Sequence, residues 1–235
     1  MDFRAHLRNR ILAMLPRSEQ EQFCRRAEAV NLAPGAVLCD AGRPMGHVYF
    51  PNSGVLSCVV ILSDGSAVEA AVIGNEGLTG IALLVEDGLN PLRIVQQVPG
   101  EMLRVSAAAF RTLLAENDRL YESVKRFTLA VVQQCGQNVA CHAHHDIRQR
   151  MCRWLLSCSD RAGANEFELT QEYLGQMLGV RRQTVGTTAQ RLQESGWISY
   201  RRGRMAILDR GALEETACEC YRLCKESYNR VMQLS

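Results

Sequence analysis

The sequence predicts an α+β fold in three consecutive parts: an N-terminal β-roll or jelly roll, a long helix, and a C-terminal unit of short helices closed by a two-stranded hairpin. Three observations carry this. Short β-rich runs alternate with turn signals from about 31 to 105; apolar residues then recur at spacings of four and three through 120–145; and between 169 and 208 two brief helical patterns precede two alternating runs around a glycine. The divisions drawn from them are 1–117 for the roll and its N-terminal helices, 118–145 for the long helix, and 146–235 for the C-terminal unit.

Residues 2–30 read as helical: Phe3, Leu7, Ile11 and Leu15 keep helical spacing, Pro16 interrupts it, and Ser18 with Glu21 spells a capping box. The strand runs Val55–Leu62, Val68–Ile73, Arg93–Val98 and Met102–Val105 follow, punctuated by Pro34-Gly35, Asp40-Ala41-Gly42, Ser63-Asp64-Gly65 and Pro99-Gly100. Asp64-Gly65 between apolar runs is the strongest hairpin signal among them. Short strands at this spacing close into a sandwich or barrel.

In the long helix, Leu120, Val124, Phe127, Val131, Gln134, Asn138, Cys141 and His145 form a heptad seam. A second stripe of Leu129, Val132, Gly136 and Val139 lies on another face. The seam is assigned to a partner helix in a homodimer, with Gln134 and Asn138 helping to set register, and the second stripe to the roll.

A chain of 235 residues with 47% apolar content supports one large core or two modest ones, and a net charge of +2 gives the whole molecule no preference for nucleic acid. Charge is concentrated locally. Between Thr170 and Arg210 seven arginines face three acids, a net +4. No secretory signal or membrane-length apolar run is evident, so a cytoplasmic location without membrane contact is expected, and the 10 cysteines are read as thiols.

Thr170 can N-cap a helix bearing Leu174 and Leu178, Gly179 permits a left-handed turn, and a second helix from about Arg182 to Ser195 turns Val185, Ala189 and Leu192 inward. Small Gly175 lets the two helices approach closely. This is a helix-turn-helix pattern, whose second helix enters the major groove. Arg182 can fork onto guanine, Gln183 can pair with adenine, and Thr187 can touch a thymine methyl or a phosphate. Arg181 and Thr184 are assigned to phosphate at the positive helix end. Trp197–Arg202 and Arg204–Leu208 alternate as a hairpin whose tip holds Arg201, Arg202 and Arg204, within reach of phosphates beside the groove.

From Leu169-Thr170-Gln171-Glu172-Tyr173-Leu174 through Gly175-Gln176-Met177-Leu178-Gly179-Val180 to Arg181-Arg182-Gln183-Thr184-Val185-Gly186, the chain closely resembles the DNA-binding motif of the Crp/Fnr superfamily. More weakly, the likeness extends over nearly the whole chain. It implies a cyclic-nucleotide-binding-like roll, a dimer helix and a winged helix-turn-helix. A transcription regulator follows from it, with a roughly palindromic double-stranded operator and RNA polymerase as a further partner. Thr187 stands where the cyclic-AMP receptor branch has a DNA-reading arginine, so the operator is expected to differ, and Arg181 replaces the usual capping serine. Cyclic-nucleotide binders hold ribose and phosphate with a Gly-Glu-Leu turn and an Arg-Ser pair. Here the corresponding stretches read Gly74-Asn75-Glu76-Gly77-Leu78 and Asn90-Pro91-Leu92-Arg93, so a signal other than cyclic AMP is expected, with Glu76 and Arg93 as candidate effector-pocket residues.

The cysteine cluster of the family's iron-sulfur sensors is missing near the N-terminus, where Cys24 and Cys39 stand far apart. Cys141, His142, His144 and His145 crowd the end of the long helix, and Cys218, Cys220 and Cys224 lie near the C-terminus. Each helix offers two ligands on one face, too few unless both clusters or both subunits meet; the helix end is therefore read as a solvated hinge, with no metal or cofactor assigned and a metal- or redox-responsive regulator as the alternative. A cupin-like metalloenzyme finds only His47 in the strand region, and no glycine-rich phosphate loop or nucleophile elbow is present, so an enzyme is not expected. A protein-docking signalling module remains the other alternative.

Overall fold

The computed structural model describes residues 7–85 and 88–233. Helices α1 (Arg10–Ala13) and α2 (Arg17–Cys24) precede seven strands: β1 (Glu28–Asn31), β2 (Val37–Cys39), β3 (His47–Pro51), β4 (Val55–Ile61), β5 (Ala67–Ile73), β6 (Arg93–Val98) and β7 (Glu101–Ser106). They form two antiparallel sheets, ordered β1-β7-β3 and β2-β6-β4-β5. Buried side chains of both sheets, among them Val48, Phe50, Leu56, Ile73, Met102 and Leu103, share one core with the flanking helices. The hairpin expected at Asp64-Gly65 joins β4 to β5, with the Asp64 carboxylate accepting from the Ser66 amide at 2.9 Å.

The break at Pro16 separates two helices as read, but the second starts earlier than its expected cap and ends at Cys24, short of residue 30. Pro16, with its φ preset for a helix start, sits at the N-cap of α2, so Ser18 falls inside the helix and caps nothing. Residues from Glu28 on pair with β7 instead, tied by a Glu28–Arg104 ion pair at 2.6 Å. The part of that reading at 2–6 lies outside the described residues.

Helix α3 (Ala107–Glu116) leads into α4 (Asp118–His144), whose first turn is capped by the Asn117 side chain accepting from the Leu120 amide at 2.9 Å. At ~1.5 Å per residue α4 is about 40 Å long. Next come α5 (Ile147–Ala162), β8 (Glu166–Glu168), α6 (Gln171–Leu178), α7 (Arg182–Glu194), β9 (Ile198–Arg201), β10 (Arg204–Ile207), α8 (Arg210–Thr216) and α9 (Cys220–Gln233). A second core, built on Met151, Trp154, Leu155, Leu174, Val185, Leu192, Ile198 and Met205, also takes in Val55, Val59 and Val72 from the outer face of the roll. This explains why β4 is apolar on both faces: one side meets its partner sheet and the other meets α5.

The two faces of α4 are reversed from the sequence reading. Leu120, Val124, Phe127, Val131, Gln134 and Asn138 are buried within their own chain, against the roll and α9. Gln134 accepts from the Val72 amide at 2.9 Å and Asn138 donates to the Ala70 carbonyl at 2.8 Å, so these amides satisfy the β5 backbone rather than a partner helix. Leu129, Val132 and Val139 are the exposed ones, at 68%, 63% and 72%. The error has a simple cause. Both stripes keep heptad spacing, and the C-terminal helix that covers one of them is distant in sequence.

Candidate nucleic-acid interface

Thr170 caps α6 by accepting from the Tyr173 amide at 3.1 Å, and Gly179 turns the chain at φ +62°. Gly175 is required by the crossing, because a Cβ there would stand 2.9 Å from the Val180 carbonyl oxygen. Helix α7 then packs through Val185, Ala189 and Leu192, and this inward face leaves Arg182, Gln183 and Thr187 exposed on the other side with Thr184. Arg181 occupies the N-cap without a side-chain cap bond, so the first amides of α7 remain open to an anion. The depression between the two helices is lined by Gln171, Arg181, Arg182, Gln183 and Gly186. Sequence reasoning passed over Gln171, whose nearness to Gly186 arises only from the helix crossing.

The hairpin is fastened to this surface. Tyr200 donates its hydroxyl to the Leu169 carbonyl at 2.8 Å, and its amide donates to Gln193 Oε1 of α7 at 2.7 Å. Arg201 and Arg204 are exposed cross-strand partners. Like charges directly opposite repel, a cost that an intervening phosphate removes. Among the described residues, Arg181, Arg182, Arg201 and Arg204 form no salt bridge.

The two effector-pocket candidates are not brought together. Glu76 is buried and paired with Arg161 of α5 at 2.7 Å, whereas Arg93 lies on the outer surface, paired with Asp40 at 2.6 Å. Each arginine goes to the carboxylate its own surroundings supply, and the order of strands keeps Arg93 from Glu76. Between β-roll and α5 sits a polar network instead: Trp154 donates to Glu69 at 3.0 Å, Ser57 donates to the same carboxylate at 2.7 Å, and Ser57 also bonds Gln97. Burial raises the Glu69 carboxyl to about 7, against the hydrogen bond from Ser57 and the charge of Arg153.

The end of α4 is no solvated hinge at its cysteine. Cys141 is fully buried beside Cys218 and Cys220, and with His145 these residues gather four ligand atoms in one place. Cys141 Sγ lies 3.5 Å from Cys218 Sγ, and the hydrogen bond between them holds the Cys141 thiol below its ordinary range against burial. His144 is exposed and takes no part.

Residues 149–216 match the Crp-like helix-turn-helix domain and residues 29–117 the cyclic nucleotide-binding domain, in the order in which the structure arranges them. The chain belongs to the Crp/Fnr superfamily. This Crp/Fnr protein is 21% identical over 200 residues to the CRP-like cAMP-activated global transcriptional regulator of Mycobacterium tuberculosis, covering 82% of this chain and 89% of that one. It is 25% identical over 171 residues to the cAMP-activated global transcriptional regulator CRP of Pasteurella multocida, covering 70% and 82%. Among solved structures, FixK2 of Bradyrhizobium japonicum shares the fold, with a TM-score of 0.67 at 16% identity over 82% of this chain and 98% of that one. As a Crp-family member it is a DNA-binding transcription regulator. No helix among its described residues is long and apolar enough to cross a membrane.

Proposed function

We propose that this Crp/Fnr protein acts in the cytoplasm as a homodimer that reads a roughly palindromic operator and responds to a signal other than cyclic AMP. One observation carries the proposal: the exposed start of α7 presents Arg182 and Gln183 beside an arginine-tipped hairpin. Arg182, Gln183 and Thr187 are assigned to base edges, and Thr170, Arg181, Thr184, Arg201 and Arg204 to the sugar-phosphate backbone. In the functional division, 1–117 senses, 118–145 pairs the subunits and 146–235 binds DNA, with RNA polymerase engaged from the bound dimer.

The partner for the exposed α4 stripe is a second copy of this chain. Leu129, Val132, Gly136 and Val139 recur at spacings of three and four, a seam that is complementary to itself across a two-fold axis. Two copies then present their α7 helices roughly 34 Å apart, one turn of DNA. The proposal of a different signal is supported by Glu76, whose carboxylate is taken by Arg161, and by the separation of Arg93 from it.

Selection of bound sequences from a random duplex pool tests the reading. The expected product is an inverted repeat, with Arg182→Ala weakening the selected site about 5- to 150-fold, the equivalent of ~1–3 kcal/mol, and relaxing preference at one position per half-site. A pool that shows no enrichment, or a variant that reads the same sequence equally well, overturns it. Unchanged operator affinity on adding cyclic AMP is the expected result for the signal, and a large increase refutes that part.

A further inference from the structure

We propose that Cys141, His145, Cys218 and Cys220 form a tetrahedral Cys3His site for a zinc ion, stapling the C-terminal end of α4 to the start of α9. The ligand atoms of these four residues lie within 4.8 Å of one another. Cys141 Sγ stands 3.5 Å from Cys218 Sγ, and Cys220 Sγ stands 3.5 Å from His145 Nδ1. Ligands on a zinc tetrahedron, with Zn–S near 2.3 Å and Zn–N near 2.0 Å, are separated by about 3.5–3.8 Å, so an ion needs only small adjustments of the four side chains.

The surroundings also suit a metal. The other ring nitrogen of His145, Nε2, meets the Glu219 carboxylate at 3.1 Å, the outer contact that fixes a ligating histidine with its free nitrogen turned to the metal. Gln137 donates to Cys220 Sγ at 3.0 Å, a contact that favours a thiolate. Three thiolates, one neutral imidazole and Zn2+ sum to a charge of −1. On this side of the molecule Arg150 and Arg153 of α5 are only 7% and 6% exposed, each has an Nε without a hydrogen-bond partner, and neither forms a salt bridge among the described residues. Arg153 donates to Asn138 Oδ1 at 2.8 Å, about one turn of α4 before Cys141, so an anionic metal centre there supplies countercharge that a buried guanidinium group requires.

Binding moves no electrons: thiol protons pass to solvent as sulfur-metal bonds form, and zinc stays divalent. A disulfide between Cys141 and Cys218 would use two of the donors and leave His145, Glu219 and Cys220 without a shared purpose. The site does not depend on the DNA-reading assignment, because it rests on the packing of α9 against α4. Its place is the junction at His145, where α4 gives way to α5.

The full-length protein, purified under reducing conditions, is tested by elemental analysis and thiol counting, then stripped with a chelator and titrated with Co2+. Expected are one zinc per chain and, with cobalt, the visible bands of a tetrahedral thiolate complex, bleached by added zinc. Cys218→Ser is expected to abolish the cobalt bands, Glu219→Gln to weaken metal binding about 10- to 100-fold, and Cys224→Ser to leave it intact. A folded wild-type protein that gives no tetrahedral cobalt spectrum, a Cys218→Ser variant that keeps its zinc, or a Cys141–Cys218 disulfide in the freshly purified protein overturns the proposal. Should Cys218→Ser fail to fold, the wild-type cobalt titration decides alone.

Discussion

The two stripes of α4 have the same spacing and opposite fates. Phe127 and its neighbours are buried under the roll and α9, with Tyr228 set 6.1 Å from the Phe127 ring, whereas Leu129, Val132 and Val139 face outward. Heptad periodicity therefore reports that a face wants company without reporting whose. Which stripe is covered is decided by α9, a helix that begins 76 residues after the end of α4. The buried stripe should govern folding, and the exposed one association.

Phe127→Ala, on the buried stripe, is expected to be the most damaging substitution. It should cost about 3–5 kcal/mol of stability in chemical denaturation while leaving dimer dissociation unchanged; a weakened dimer with normal stability would restore the original assignment of the faces. Close behind comes Glu69, on the strand gripped by Gln134 and Asn138. Its carboxyl is raised to about 7, so the folded protein keeps a proton that the unfolded chain has lost between pH 4.5 and 7. Stability contributed by that proton is present below this window, falls as pH rises through it, and is gone above, a change of about 3 kcal/mol. Denaturation midpoints across pH should show that slope in the wild type and lack it in Glu69→Gln.

On the exposed stripe, Val132→Glu should weaken the dimer by about 2 kcal/mol, roughly thirtyfold, in sedimentation experiments, with the fold retained. A variant that stays dimeric would move the interface elsewhere. The smallest effect is expected away from both faces: Arg204→Ala should lower operator affinity uniformly across sequences and reduce the salt slope by about 0.9. Loss of preference at one base position would show that Arg204 reads sequence instead.

The helix-turn-helix and its hairpin were legible because their determinants are local. Thr170, Gly175, Gly179, Val185 and Leu192 each stand within about two helical turns of the next, and each is found where its spacing required. The strands from Val55 to Val105 were legible for the same reason, since turn residues and alternation mark them at short range. The N-terminal segment misled, because β1 is a strand only by virtue of β7, and no short-range signal competes with the helical spacing before it. Glu76 and Arg93 likewise look like a pair along the chain, yet Arg161, 85 residues beyond Glu76, takes the carboxylate.

What sequence determined by itself was the order of the parts and the chemistry of the recognition helix, for these follow from backbone preference and from periodicity over a few residues. Tertiary structure alone decided which face of α4 is covered, which arginine neutralises Glu76, and whether two incomplete sets of ligands meet. Cys141 and Cys218 are 77 positions apart. Such proximity is a product of how α9 lies along α4, a property of packed surfaces that no local pattern encodes.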